Sequence, residues 1–483
     1  MRNVILVTVL GLVACTKPNP NRCCTDEADC EANDIPAGST CADGLVCRGN
    51  QCIAETCTAS SACESTDPFC VSGLCADSCT DDSQCPGAGD DPSLTHCTGG
   101  VCVACATNTD CPASTPACVD NVCLDCAMDS DCPASTPICD MNACRICQTD
   151  AECDSQVCDV DHGTCVDAGS IRYASPTGPD TADCSQATPC SMTRAAAIVD
   201  IQHPWLRMLP GTFTGTMTLS IASVEIVGTG ATLMGEISAM SSEVDVRGLA
   251  IVATAASAYN AFVCRMSSGV IRDVNFQGAT DLTSCMLTID QIIATSVDVR
   301  DHNDLMIDRS SFLGVDLVDP TTLTLTMTNS IAHRFDVELS QQSPSVTVNV
   351  SYSTFYCTTA DCGGGAIVSC ETLPAAEDIH FTNNVFYDPG TVVGGAVVAD
   401  GNAGTNLCTF TNNVTYPQTD VIAGNIALDP KFVDAANGDF HLTATSPAID
   451  TAIVTGTDPT VDYDGTARPQ GARDDIGAFE YKP

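Results

Sequence analysis

The sequence is poor in positive charge. Of its 483 residues only 18 are Lys or Arg, against 61 Asp or Glu, which gives a formal net charge of −43. No Lys occurs between Lys17 and Lys431. So acidic a chain repels polyanions, which argues against nucleic acid, acidic polysaccharides and anionic lipid as direct partners unless divalent metal bridges them. A basic partner, a neutral glycan or plain solubility suits this charge better.

Long apolar runs are also scarce, and the one that occurs lies at the N-terminus. Arg2 is followed by an apolar stretch from Val4 to Ala14 and then by Cys15 and a polar, Pro-rich sequence. That order is typical of a signal peptide, and the run is too short for a membrane-spanning helix, which needs about 20 apolar residues. We therefore expect residues 1–14 to direct export and to be removed.

The end of this segment, Leu12-Val13-Ala14-Cys15, resembles the lipobox of bacterial lipoproteins. The resemblance implies that Cys15 carries a diacylglycerol that holds the protein on a membrane, with residues 15–22 as a linker. An ordinary secretory signal with a chance cysteine is the alternative. Thr16 stands where inner-membrane lipoproteins of enteric bacteria carry Asp, so we expect the outer membrane or the cell surface as the location.

Aromatic residues are nearly absent from the first half, where cysteine is in excess. Of 35 cysteines, 26 lie from Cys23 to Cys165, a segment whose one aromatic residue is Phe69. From Cys57 onward the cysteines form units of four. Three successive units start 21 residues apart, at Cys105, Cys126 and Cys147. Such short units cannot bury a hydrophobic core, so their cysteines must hold them together.

The cysteines allow two interpretations. Cys123 with Cys126, and Cys144 with Cys147, have the CxxC spacing of a structural zinc site. Export favours disulfides instead, and without Cys15 an even number of cysteines, 34, is left to pair. We predict disulfide-bonded repeats over residues 23–166, with three pairings possible in each unit of four. The pattern resembles the tandem cysteine-rich repeats of bacterial surface lipoproteins.

Acidic residues recur in the first loop of these units. Asp129, Asp131 and Asp150 are examples. Alternating carboxylates are the ingredients of a calcium loop, but no unit has the register of a calcium-binding loop with its closing Glu. We expect solvated acidic loops, with calcium as the alternative, and no other metal or cofactor.

After residue 170 the composition changes to Val, Ile, Thr and Leu in short segments with alternating apolar residues. Examples are VEIVGTGATL (224–233), VNVSYSTFY (348–356) and IHFTNNVFY (379–387). Alternation predicts strands, and spacings of about 20 to 30 residues suit the coils of a parallel β-helix rather than hairpins. One short helix is expected, in SMTRAAAIVDI (191–201).

Asparagines recur at the bends of these segments. Asn329, Asn383 and Asn412 stand at the same offset, and we expect their side chains to stack and to bond the turn backbone, whose own polar groups leave the ladder. A row that binds sugar hydroxyls on an outer face is the alternative. The apolar residues expected in the packed interior are Phe381, Val385, Phe410 and Val414.

Two groups of motifs carry a family resemblance. YASPTGPD (173–180) and LPGTFTG (209–215) resemble the start of pectin-lyase-like β-helix proteins, and DPKFVDAANGDFHLTATSPAIDTA (429–452) with VDYDGTARPQGARDDIGAFEY (461–481) is similar to the tail of the choice-of-anchor Q family. The resemblance implies an all-β, right-handed parallel β-helix over residues 171–425 and a capping tail over 426–483. That family carries its surface anchor after this tail, a role that we expect the lipid on Cys15 to take over.

A candidate active site lies in RDHNDLMIDR, residues 300–309. His302 is a potential base that Asp301 or Asp304 would orient, with Arg309 as a nearby cation. A polar loop at a strand edge is the alternative, because the arginines of this half occur singly and do not form a groove for a polyanion.

The fold cannot decide between enzyme and binding protein, because parallel β-helices host both. We predict a cell-surface lipoprotein with a structural, adhesive or glycan-binding role, whose ligand is a glycan or a surface protein. A polysaccharide lyase or hydrolase is the alternative.

Overall fold

The computed structural model describes residues 78–85, 94–220, 223–338, 345–357, 367–371, 378–389, 408–417 and 424–483, and the backbone of short strands within 45–76 and at 398–400. The chain divides into two compact units. The repeat unit comprises the chain up to Gln148 with Asp159–Thr164, and the β-helix unit comprises Thr149–Cys158 with Cys165–Pro483. The predicted signal peptide and Cys15 lie outside the described residues. No helix in the described ranges is long and apolar enough to cross a membrane.

Short antiparallel hairpins make up the repeat unit. Its strands are β1 (Leu45–Arg48), β2 (Gln51–Ala54), β3 (Phe69–Val71), β4 (Leu74–Ala76), β5 (His96–Thr98), β6 (Val101–Val103), β7 (Ala117–Val119), β8 (Val122–Leu124), β9 (Ile138–Asp140) and β10 (Ala143–Arg145). In the units that start at Cys79, Cys105 and Cys126 the first cysteine pairs with the third and the second with the fourth. These disulfides are Cys79–Cys97, Cys85–Cys102, Cys105–Cys118, Cys111–Cys123, Cys126–Cys139 and Cys132–Cys144. The prediction of disulfide-rich repeats is confirmed, and the structure selects one of the three pairings.

The acidic loops of the repeats fold into single 3-10 turns that their carboxylates cap. Asp131 Oδ2 accepts hydrogen bonds from the N–H groups of Ala127 (2.8 Å) and Met128 (3.0 Å). Asp129 Oδ1 accepts from Cys139 N–H at 2.7 Å and so ties the turn to its hairpin. Because a cap satisfies backbone donors at the start of a turn, the recurrence of aspartate has a structural explanation. The 3-10 turns in the described part of the chain are Asp82–Gln84, Asn108–Asp110, Asp129–Asp131, Asp150–Glu152, Ala168–Ser170, Ala255–Ser257 and Ala435–Asn437.

Twenty-two parallel strands, wound in one continuous ladder, form the β-helix unit. After β11 (Cys158–Asp159) and β12 (Thr164–Cys165), the described strands and helix are β13 (Ile171–Ala174), α1 (Met192–Ile198), β14 (Trp205–Met208), β15 (Gly211–Leu219), β16 (Ser223–Met240), β17 (Glu243–Val252), β18 (Asn260–Arg265), β19 (Ser268–Arg272), β20 (Asn275–Thr283), β21 (Met286–Asp290), β22 (Ile293–Arg300), β23 (His302–Asp308), β24 (Ser311–Val318), β25 (Thr322–Thr328), β26 (Ile331–Glu338), β27 (Ser345–Ser351), β28 (Thr354–Tyr356), β29 (Val368–Glu371), β30 (Asp378–Thr382), β31 (Val385–Tyr387), β32 (Val398–Asp400), β33 (Cys408–Thr411), β34 (Val414–Tyr416), β35 (Phe432–Asp434) and β36 (Asp439–Leu442).

Each coil contributes to three faces. Face A contains β13, β14, the first parts of β16 and β17, then β19, β21, β23, β25, β27, β30 and β33. Face B contains the first residues of β20, β22, β24 and β26, then β28, β31 and β34. Face C contains the remainder of β20, β22, β24 and β26, then β29 and β32. The predicted parallel β-helix is confirmed.

The coils range from 17 residues, as between Thr280 and its partner Val297, to 34, as between Tyr173 and Arg207. Side chains that alternate inward form one continuous apolar core. At the corner between faces A and B one residue per coil has a left-handed backbone, and the next residue points inward. The left-handed residues of this corner are Asp273, Gln291, Arg309, Asn329, Tyr352, Asn383 and Asn412.

The inward residues of this corner form a polar ladder along the helix. Ser330 N–H donates to Ser353 Oγ (3.2 Å), Ser353 N–H to Asn384 Oδ1 (2.9 Å) and Asn384 N–H to Asn413 Oδ1 (2.8 Å). The expected asparagine stack is thus displaced by one residue. Asn412 does donate to Asn383 Oδ1 at 2.8 Å, but a left-handed residue turns its side chain away from the interior, so the residue after it bonds the turn backbone.

The C-terminal tail, residues 424–483, packs along the outer side of face B. Val385 and Val414 are buried there in one cluster with Leu442, Ala448 and Ile476. Both are thus buried in a packed interior, as expected, but this interior lies between face B and the tail and not inside the coils. Phe381, by contrast, is fully buried in the main core, as expected.

The first coils begin with a segment that the sequence assigned to the repeats. Val157 is fully buried with Ile171 and Trp205, and Arg247 donates to Asp150 Oδ1 at 2.7 Å. Asp150 also accepts from Cys158 N–H at 3.0 Å. Residues 149–158 therefore belong structurally to the β-helix unit.

Candidate functional site

A second corner, between faces C and A, determines where the predicted site residues lie. Its left-handed residues are Ser241, Met266, Ser284, Asp301 and Asp319, with φ between 45° and 58°. Aspartate tolerates this conformation better than most residues with a Cβ. The turn therefore accounts for the identity of Asp301 without any catalytic role.

His302 and Asp304 lie together on the outer side of face A. They alternate along β23 with Asn303 and Leu305, which are buried. His302 Nδ1 lies 3.0 Å from Thr321 Oγ1, the partner that orients its ring. Within the described residues no hydrogen bond joins His302 to Asp301 or Asp304, so the predicted carboxylate-oriented base is not formed in this structure.

Arg309 lies at the far end of the same strand. Its guanidinium donates to both carboxylate oxygens of Asp290, with Nε to Oδ1 at 3.0 Å and Nη2 to Oδ2 at 2.5 Å, and its Nε is 3.4 Å from Asp308 Oδ2. Asp308 lies six positions after His302 along the strand, which corresponds to roughly 20 Å. Arg309 is thus separated from His302 and Asp304, the residues with which the sequence grouped it. It belongs to an ion-pair network at the corner between faces A and B.

A cleft of about 860 Å³ opens at the corner that holds His302. It is lined by Ser241, Ser242, Glu243, Met266, Ser267, Ser268, Ser284, Met286, His302, Asn303, Asp304 and Thr322. Hydroxyl groups dominate this lining, together with two carboxylates and one imidazole. Met266 and Met286 add apolar surface and are 68% and 63% exposed.

The strand register brings the lining residues into columns. Glu243, Ser268, Met286 and Asp304 occupy equivalent positions on four successive strands of face A. Sequence reasoning found Asp304 but missed the other three. Aligning the segments that begin with Ser242, Ser267, Cys285 and Asn303 would have placed all four in one column.

The floor of the cleft is fixed by hydrogen bonds to the backbone. Ser242 N–H donates to Ser267 Oγ at 3.1 Å, and Cys285 N–H donates to Asn303 Oδ1 at 2.9 Å. Ser267 Oγ in turn donates to Arg265 O at 2.9 Å. Because these buried groups are satisfied, the floor is rigid and the outward groups above it are pre-positioned.

Chemically the lining suits hydrogen bonding to an uncharged ligand. Its members include no Lys or Arg to neutralise a uronate carboxylate, which an elimination reaction requires. The groups of potential metal ligands among the described residues consist of cysteines such as Cys105, Cys111 and Cys123, and their sulfurs are committed to disulfides. The loop carboxylates proposed for calcium are occupied by backbone donors and, at Asp150, by Arg247.

Comparison with known proteins finds a similarity to solved structures alone. No protein-family model and no curated protein sequence matches this chain. Among solved structures, the chain is similar to the pectate lyase Pel9A, with a TM-score of 0.39 and 12% identity over 65% of this chain and 96% of that chain. That similarity concerns the β-helix fold, and the activity in the name is that of Pel9A.

Proposed function

We propose that this protein is an exported, lipid-anchored β-helix protein of the choice-of-anchor Q type that binds a neutral glycan in the cleft between faces C and A. The observation that carries the proposal is the lining of the cleft, in which serine hydroxyls, His302 and Asp304 surround two exposed methionines. Glycan sites combine polar groups that match sugar hydroxyls with apolar surface for the sugar ring.

Charge supports a neutral rather than an acidic glycan. Glu243 and Asp304 both line the cleft, and the chain as a whole carries a formal charge of −43. A polyanion would have to approach against this field and would find no cation among the lining residues. A neutral chain meets no such barrier.

Export and anchoring are supported by the N-terminal sequence and by the disulfides. Disulfides join described cysteines in both units, and disulfides in such number are typical of an oxidising compartment. The lipid on Cys15 would hold the protein on the membrane, with the repeats as a spacer.

The proposal is tested by binding measurements on the purified ectodomain. Calorimetry with oligosaccharides of cellulose, xylan, mannan and chitin is compared with pectate, alginate and hyaluronan. We expect one neutral class to bind, and we expect Asp304→Ala to weaken it roughly 10- to 100-fold, the loss of one charged hydrogen bond. Asp378→Ala is the matched control, because Asp378 is an exposed aspartate on face A outside the cleft.

Two results would contradict the proposal. Binding of a neutral glycan that Asp304→Ala and His302→Ala leave unchanged would place the site elsewhere. Binding of the acidic chains alone, strengthened by calcium, would favour the alternative of a polysaccharide lyase or hydrolase on this scaffold.

A further inference from the structure

Four aspartates stack on the outer side of face C, away from the cleft. The strand register pairs Asp281 with Asp298, Asp298 with Asp316, and Asp316 with Asp336. Neighbouring strands are about 4.8 Å apart, so the carboxylates follow one another at that spacing. The side chains of Asp281, Asp316 and Asp336 are 16%, 23% and 18% exposed. These four residues are called the aspartate ladder.

Two arginines, one near each end, form ion pairs with members of the aspartate ladder. Arg265 donates to both oxygens of Asp281, at 3.1 and 2.7 Å. Arg334 Nη2 lies 2.9 Å from Asp316 Oδ1 and its Nε lies 2.6 Å from Asp336 Oδ2. Among the described residues no ion pair includes Asp298, so the ladder has fewer cations in contact than carboxylates.

Other charged groups act on the ladder from every neighbouring strand. Glu236 on β16 and Glu338 on β26 add negative charge near Arg265 and Arg334, and Asp301 acts on Arg265 from the corner. Arg300 on β22 is the cation that acts on Asp298. The surroundings of Asp298 therefore hold two neighbouring carboxylates against one arginine that makes no contact with it.

Burial and like charge disfavour ionisation at two members of the aspartate ladder, Asp298 and Asp336. Burial raises the pKa of Asp298, and the charges of Asp316 and Asp281 raise it further against the opposing effect of Arg300. Burial raises the pKa of Asp336 to about 6, against the lowering effect of Arg334. Asp298 and Asp336 flank Asp316 in the register, so a proton bound at either of them lies next to a neighbouring carboxylate.

A carboxyl group whose pKa is higher in the folded protein than in the unfolded chain makes the folded protein more stable at low pH than at high pH. The folded protein keeps protons that the unfolded chain releases, so the stabilisation is complete below the unfolded pKa of about 3.9 and is lost as the pH rises through the folded pKa. The pKa of Asp475 in the tail is raised by burial to about 6 and adds to the same window. The change from neutral pH to about pH 5 is therefore stabilising.

We propose that the aspartate ladder is a pH-sensitive brace of the β-helix. At neutral pH its carboxylates repel one another across β20, β22, β24 and β26. In mildly acidic surroundings protons bound between adjacent carboxyls replace this repulsion with hydrogen bonds, and the middle coils become more resistant to unfolding. The proposal is independent of the glycan site, since none of the four residues lines the cleft.

The test is the melting temperature of the purified ectodomain at about pH 7.5 and about pH 5. Asp298→Asn, which mimics the protonated carboxyl, is expected to raise the melting temperature at the higher pH by roughly 2 °C and to have a much smaller effect at the lower pH. Asp475 titrates alike in all variants, so the difference between variant and wild type isolates the ladder.

Two further variants separate the ladder from the general effect of net charge. Asp304→Asn removes an exposed carboxylate whose column neighbours are Met286 and Thr324, and we expect no pH-dependent change from it. Asp281→Asn breaks the contact with Arg265 and is expected to lower the melting temperature at about pH 7.5. The proposal is overturned if Asp298→Asn behaves like Asp304→Asn at both pH values, or if it destabilises the protein at the higher pH.

Discussion

Single residues control the corner between faces A and B. The left-handed residue turns the chain, and the inward residue after it supplies an acceptor to the backbone of the preceding coil. Serine occupies the inward position at Ser310, Ser330 and Ser353, and asparagine occupies it at Asn384 and Asn413. Asparagine also donates, as Asn384 Nδ2 does to Val350 O at 2.9 Å. The coils from Ser310 to Asn413 are thus tied to their neighbours by a side chain as well as by strand pairing.

We predict that Asn384→Ala lowers the free energy of unfolding by about 1–3 kcal/mol, because it leaves the buried Ser353 N–H and Val350 O without partners. Denaturant unfolding measures the loss. Asn384→Ser is the control, since serine supplies the acceptor in the preceding coils, and it should recover part of the stability. If the alanine variant were as stable as the wild type, the polar ladder of Ser330, Ser353, Asn384 and Asn413 would not stabilise the corner between faces A and B.

The sequence showed which residues recur at this corner but not which of them point inward. Asn383 and Asn384 are adjacent and identical, and the choice between them depends on backbone geometry that follows from the coil as a whole. Asn383 instead holds the tail, by donating to Ile453 O at 2.8 Å and accepting from Ile453 N–H at 3.0 Å. The sequence pattern alone cannot tell which of two adjacent asparagines points into the coil and which contacts the tail.

Among the elements, the tail covers apolar positions that would otherwise face solvent. Its internal structure depends on a fully buried ion pair, in which Arg468 Nη1 lies 2.7 Å from Glu480 Oε1. Arg468 also donates to the carbonyls of Asp475 (3.0 Å) and Gly477 (2.7 Å). The guanidinium therefore crosslinks the turns of the tail motif.

We predict that Arg468→Met lowers the free energy of unfolding of the tail by about 3–5 kcal/mol, because Glu480 is left as an uncompensated buried charge. Limited proteolysis should then cleave the tail much faster than in wild type. Arg473→Met, at an exposed position of the same motif, should leave the cleavage rate unchanged. The same cleavage rate in both variants would show that the ion pair does not hold the tail.

The strands and hairpins were predictable because alternation and cysteine spacing are local signals. The cleft was predictable only in part. His302 and Asp304 are two residues apart, but Glu243 lies on a strand two coils before the strand of Met286, and only the register of the coils brings their side chains to one surface. The separation of Arg309 from His302 has the same origin, since a strand extends residues that look clustered in the sequence.

For the molecule as a whole, the number of disulfides indicates an exported or extracellular protein. We predict that protein purified without reductant has all 34 cysteines of the mature repeats and β-helix oxidised by intact mass, as the first-to-third and second-to-fourth pairing requires. Elemental analysis should find no stoichiometric zinc. Zinc near one ion per repeat, with free thiols, would overturn the disulfide assignment.

A separate prediction concerns the attachment of the whole chain to the membrane through a lipid on Cys15. Cys15→Ser removes the thiol that the lipobox would present for acylation, so we expect the variant to move from the detergent phase to the aqueous phase in detergent partitioning. Wild-type protein supplies the comparison in the same cells. A variant that stays in the detergent phase would refute the lipoprotein proposal.

We propose that the cleft binds a glycan without cleaving it. The most direct measurement incubates the ectodomain with each glycan that it binds, and with pectate, alginate and hyaluronan in the presence of calcium, and follows reducing ends together with the absorbance of unsaturated products. We expect no increase in either signal above a protein-free sample. Turnover that His302→Ala abolishes would contradict it, because His302 would then act as a base in a lyase or hydrolase.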